Sequence, residues 1–97
     1  MGKTDDVHSK PINFRIKRYQ LLRKQVFERD DFTCQICRWR PSQIPKNYNG
    51  RYTVVEYHKD GNFTDLQVDH VKPRSKGGTC SFDNLQTTCC HCNNRKN

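Results

Sequence analysis

Four of the six cysteines fall into two pairs of identical spacing, Cys34-x2-Cys37 and Cys89-x2-Cys92. Two residues between thiolates let both sulfurs of a tight turn reach one tetrahedral ion at about 2.3 Å. One such pair could serve either redox chemistry or metal binding, but a duplicate pair points to structural Zn2+. The 51 residues between the pairs exceed an ordinary zinc ribbon, so a sizeable insertion is expected between its halves. Cys80 and Cys90 are left over. Using Cys90 in place of Cys89 would break the spacing to Cys92, and His91, lying between the ligands, reads as a bystander. A disulfide framework is the weaker alternative, because the polar start Met1-Gly-Lys-Thr-Asp-Asp has no apolar signal-peptide core. Asn62-Phe-Thr64 is accordingly expected to be an unused glycosylation match.

The insertion carries Leu66-Gln-Val-Asp69-His70-Val-Lys-Pro73-Arg-Ser-Lys-Gly77-Gly78, followed by Asn84-Leu85-Gln86 and Cys92-Asn93-Asn94-Arg95-Lys96. In these residues the chain resembles the HNH nucleases, the ββα-metal endonuclease family. The DH pair, P-x-S-x-G-G, N-L-Q and C-x2-C-N-x2-K occur in the family's order. The resemblance extends over roughly residues 20–97, including Leu22-Arg-Lys-Gln-Val26 and Arg29-Asp30 before the first cysteine pair. It implies His70 as general base, Asp69 as ligand of a catalytic metal, and Asn84 as the residue that braces the loop and orients the base. It makes Asn93 the second metal ligand. Many relatives have histidine there, so this chain looks like an HNN variant.

The residue chemistry agrees with those roles. Cleaving a phosphodiester requires a deprotonated water, a clamp on the phosphate charge, and neutralisation of the leaving 3′ oxygen. An imidazole can accept the water's proton near neutral pH. One carboxylate and one amide oxygen leave several positions open on a metal and favour a hard cation, Mg2+ or Mn2+. Taken singly, each residue has a simpler reading: His70 as a packing histidine, Asn84 as a helix-start residue, Asp69 as the partner of a nearby lysine. Their order within the zinc framework carries the sharper one. His8 and His58 have no such context. Lys72, Arg74, Lys76, Arg95 and Lys96 flank the site and are candidate phosphate contacts.

Positioning these groups falls to few elements. Residues 1–11, ending in Pro11, read as a flexible arm, and residues 12–97 as the nuclease domain. Tyr19, Leu22 and Val26, with Phe27 beside them, recur at helical spacing, so Asn13 to Arg29 is expected to be helical. Pro41, Pro45 and Asn49-Gly50 mark a loop. Arg51–His58 and Phe63–Val71, joined through Asp60-Gly61-Asn62, form a hairpin signature. The second strand must end or distort at Asp69-His70, since neighbours on a strand face opposite ways. Pro73 and Gly77-Gly78 then argue against regular structure. A helix is expected from Asp83, capped by Ser81 or Asp83, through the cysteines to the end. The fold class is therefore α+β: a small ββα-metal domain with zinc-ribbon-like cysteine pairs and an N-terminal helix.

Composition sets the outer limits. Leu, Ile, Val and Phe number only nineteen in 97 residues, and the net charge is +8. So thin a core needs a staple, which zinc would supply. No apolar stretch is long enough to cross a membrane. Ten Lys/Arg against five acids in residues 1–40, and five against Asp83 alone in residues 71–97, suggest an electropositive surface facing a polyanion. The expected function is metal-dependent cleavage or nicking of double-stranded DNA, in the cytoplasm of a bacterial or phage-infected cell, alone, as a homodimer, or beside a larger partner. A non-catalytic zinc-ribbon DNA-binding module is the rival, but it should lack the base or the metal acid. A zinc deaminase would need His-x-Glu, which does not occur.

Overall fold

The computed structural model describes residues 17–96. The expected arm and the start of the first helix lie outside that range. The first helix, α1, covers residues 17–29 of the described chain. Its stripe closes on the core at one end only: Val26 and Phe27 are fully buried, while Tyr19 is exposed. The helix stops where Asp31 and Phe32 take left-handed backbone conformations. This reversal lets the Phe32 amide donate to the Phe27 carbonyl at 2.8 Å and folds the Phe32 ring back onto Phe27.

Strands β1 (Val55–Tyr57), β2 (Phe63–His70) and β3 (Leu85–Cys89) form one antiparallel sheet in the order β1-β2-β3, and helix α2 (Cys90–Lys96) follows directly. The β1–β2 hairpin turns as its chemistry demands, with Gly61 left-handed and the Asp60 carboxylate accepting the Asn62 amide at 3.0 Å. β1 is shorter than Arg51–His58, because residues before it turn toward α1. There Arg23 donates to the Gly50 carbonyl at 3.2 Å and to Thr53 Oγ1 at 3.5 Å. β2 ends at His70, in agreement with the placement of the DH pair.

Residues 85–89 correct the expected C-terminal helix. They are a strand paired with β2 in the register Leu66↔Cys89 through His70↔Leu85. Leu85, Thr87 and Cys89 alternate into the interior, and Thr87 and Thr88 are β-branched and fully buried. Ser81 does not cap with its side chain, and only a 3-10 turn, Phe82–Asn84, precedes the strand. A second 3-10 turn, Arg74–Lys76, interrupts the loop expected to be irregular.

Phe27, Val54 and Leu66 form the central apolar cluster, with Phe32, Trp39, Tyr48 and Val68 packed around it. Trp39 also packs on Cys34, Cys89 and Cys92, so one side chain joins the core to the cysteine cluster. No helix among the described residues is long and apolar enough to cross a membrane.

Candidate active site and metal centre

Cys34, Cys37, Cys89 and Cys92 converge, with their sulfurs all within 4.8 Å of one another. Four sulfurs about 2.3 Å from one ion stand about 3.8 Å apart, and Cys37 Sγ and Cys89 Sγ are separated by 3.7 Å. Each pair forms a knuckle: the Cys37 amide points at Cys34 Sγ (3.4 Å) and the Cys92 amide at Cys89 Sγ (3.5 Å). The first knuckle is tied to the sheet by the Gln35 amide on the Thr87 carbonyl at 2.9 Å. Burial disfavours ionisation of Cys34, but backbone amides around its sulfur outweigh it and lower its thiol to about 6. Burial pushes Cys89 up to about 12, with neighbouring thiols adding to the effect. Four thiols this close cannot all ionise without a cation between them, and the donor set suits Zn2+. Cys80 is exposed, Cys90 is half-buried, and both lie outside the cluster.

The second constellation is built on the opposite end of α2. Gln67 and Asp69, two residues apart, share a face of β2, and α2 packs its residues 93 and 96 against them. Asn93 Nδ2 donates to Gln67 Oε1 at 2.6 Å, and Lys96 Nζ sits 2.6 Å from Asp69 Oδ2. Gln86, opposite Asp69 in the register, donates to the same oxygen at 3.2 Å. Lys96 Nζ also reaches the His70 carbonyl oxygen at 2.8 Å. Asp69 Oδ2 and that carbonyl thus form an oxygen cradle already shaped around a cation. Such oxygens fit a hard divalent ion, and Asn93, whose Nδ2 is held by Gln67, lies one helical turn before Lys96 on α2.

His70 closes β2, and its Nε2 is buried with no hydrogen-bond partner among the described residues. A buried nitrogen left open carries a desolvation penalty unless a ligand or water completes it. The loop beyond His70 is held by Asn84. Its Oδ1 accepts the Lys72 amide (2.9 Å), and its Nδ2 donates to the carbonyls of Lys72 (3.1 Å) and Thr79 (2.7 Å). The Val71 amide adds a bond to the Asn84 carbonyl at 2.8 Å. Gly78 is required here because a Cβ would collide with the Lys72 carbonyl oxygen. Arg29 clasps the same loop from α1, donating to the carbonyls of Phe82 (2.8 Å) and Leu85 (2.6 Å) while lying over the Phe82 ring.

The candidate phosphate contacts separate into two groups. Lys72, Arg74 and Lys76 have exposed side chains around the 3-10 turn after β2. Arg95 instead turns toward Cys92 Sγ at 3.6 Å, and Lys96 is engaged with Asp69. Gln67 and Gln86, which orient Asn93 and Asp69, drew no role from the sequence. Gln86 stood in the sequence only as the last residue of the N-L-Q motif, and the signal for Gln67 was its place two residues before Asp69 on the expected strand.

The HNH endonuclease family model matches residues 34–97, which spans both cysteine knuckles, the DH pair and Asn93. The chain belongs to the HNH endonuclease family. Among curated relatives, the DNA annealing helicase and endonuclease ZRANB3 of Bos taurus is 31% identical over 98 residues, covering 77% of this chain and 9% of that protein. The Homo sapiens protein of the same name is 32% identical over 98 residues, again covering 77% of this chain and 9% of the relative. This chain therefore spans about a tenth of the length of these relatives. No solved structure matches it. As an HNH domain it follows the α+β arrangement of sheet, closing helix and four-cysteine cluster expected from its motifs.

Proposed function

We propose that this HNH domain is a metal-dependent endonuclease that hydrolyses phosphodiester bonds of double-stranded DNA, nicking or cutting the duplex. The observation that carries this reading is the end of β2. There, the His70 imidazole, whose buried Nε2 has no hydrogen-bond partner among the described residues, adjoins a cation-shaped oxygen cradle on Asp69 and the His70 carbonyl.

In this scheme the His70 imidazole accepts a proton from a water whose oxygen attacks the phosphorus, and the bond to the leaving 3′ oxygen breaks. Asp69 and Asn93 hold Mg2+ or Mn2+, which when bound neutralises charge on the phosphate and the leaving oxygen. Asn84 keeps the Val71–Lys72 backbone, and so His70, in place. Lys72, Arg74 and Lys76 approach the phosphate backbone, joined by Arg95 and Lys96 if these leave their present partners. The four cysteines hold a structural Zn2+ and take no part in the chemistry.

The test is relaxation of supercoiled plasmid by purified protein with Mg2+ or Mn2+, with EDTA and His70→Ala as controls. Metal-dependent nicking is expected, with His70→Ala losing it while keeping its zinc and its far-UV spectrum. Full activity in His70→Ala overturns the assignment of the base. Salt-sensitive DNA binding without cleavage under any metal would instead make this a non-catalytic binding module.

A further inference from the structure

Lys96 is the last residue of α2, and its ammonium is committed to β2 rather than to solvent. The contact is partly sheltered, with the lysine side chain 30% exposed and the aspartate 13%. A carboxylate so enclosed needs a counter-charge, because an unpaired sheltered charge is costly. Lys96 supplies it. The Gln86 amide meets the same Oδ2, so both side-chain donors gather on one oxygen of Asp69.

A divalent cation that took Asp69 as ligand would draw on this carboxylate and stand within a few ångströms of the ammonium. Two positive charges at that range repel strongly in a partly desolvated site. Metal binding and the Lys96–Asp69 pair therefore oppose each other. The lysine also has a route out. Its side chain is 30% exposed, and its four carbons can carry the ammonium several ångströms at little cost.

We infer that Lys96 is an internal counter-ion of Asp69, which neutralises the metal-free site and is released when the divalent cation binds. Its ammonium is then free for the anionic phosphate that the metal recruits. This makes Lys96 a positioning residue whose location reports metal occupancy. The inference rests on the proposed role of Asp69 as metal ligand.

The experiment uses the zinc-loaded full chain. Lys96 is labelled with an amine-reactive reagent at fixed pH, with and without saturating Mn2+, and its modification is read by mass spectrometry after cleavage at acidic residues. Mn2+ affinity is measured in parallel by electron paramagnetic resonance for the unmodified sequence, Lys96→Met, Lys96→Arg and Asp69→Asn. Breaking a partly exposed ion pair changes an equilibrium by up to about fivefold. Lys96 labelling should therefore rise by about that factor with Mn2+, and Lys96→Met should bind Mn2+ tighter by about the same factor. Lys96→Arg should bind like the unmodified chain. If Asp69→Asn weakens Mn2+ binding but Lys96 stays equally shielded with and without metal, the counter-ion inference is wrong while the metal site stands. If Asp69→Asn leaves Mn2+ affinity unchanged, the reading of Asp69 itself fails. The labelling needs no variant, so misfolding of Lys96→Met would not rescue the inference.

Discussion

Cys89 and Cys90 are neighbours in sequence, yet replacing them by serine should have opposite consequences. Cys89 is 2% exposed and belongs to the four-sulfur cluster, whereas Cys90 begins α2 outside it. The apolar core can be weighed against the metal. The largest fully buried apolar side chains are Phe27, Leu66, Leu85 and Val26, and at about 1.5–3 kcal/mol each they contribute on the order of 10 kcal/mol. A structural zinc contributes a comparable amount, about 10 kcal/mol or more in apparent terms. Net stability of a domain this small is only about 5–10 kcal/mol. Losing one thiolate should forfeit most of the zinc contribution, an amount on the order of the net stability itself, leaving Cys89→Ser largely unfolded at room temperature. Cys90→Ser should stay within about 0.5 kcal/mol of the original chain. Zinc stoichiometry from a metal-sensitive dye, measured beside thermal melting by far-UV circular dichroism, checks both. A folded Cys89→Ser with a full zinc complement would refute the reasoning, as would loss of zinc from Cys90→Ser.

Two further predictions concern the clasp between α1 and the loop before β3. Arg29→Ala removes two charge-assisted bonds to carbonyls and the stack on Phe82, and should cost about 2–3 kcal/mol, seen as a lower urea midpoint. A change under about 0.5 kcal/mol would show that the clasp is solvent-compensated. Burial would raise the Asp30 carboxyl, but its pair with Arg29 and the Thr87 amide outweigh that and hold it below the usual aspartate range. A group lowered in the folded state stabilises above its unfolded pKa and loses that contribution as pH falls through the folded value. Stability should therefore decline as pH falls below about 4. Asp30→Asn should flatten that limb in urea midpoints measured across the range, and an unchanged acid limb would assign the decline to other carboxylates.

Much of the site was legible because its signals are local. Ligand spacing within each knuckle is a property of one turn. The hairpin follows from Asp60-Gly61-Asn62 and the β-branched and aromatic residues on either side. The DH pair, Asn84 and Asn93 stand in an order that marks the family without any knowledge of contacts. Leu85–Cys89 was misread for the converse reason. Five residues ahead of a genuine helix carry little periodicity of their own, and their state is decided by partners distant in the chain: β2 along one edge, and the Asp30 carboxylate on the Thr87 amide.

By itself, the sequence determined which atoms could bind zinc, which could bind a hard cation, and which could move a proton, because those capacities belong to residue types and short spacings. Only the tertiary structure decided that Leu85–Cys89 is a strand on β2, that Gln67 and Gln86 steady the oxygen donors, and that Arg95 and Lys96 turn inward. A long charged side chain can reach any partner within several ångströms of its backbone. Its destination is therefore set by whichever oxygen or sulfur the packing of α2 on β2 brings within range.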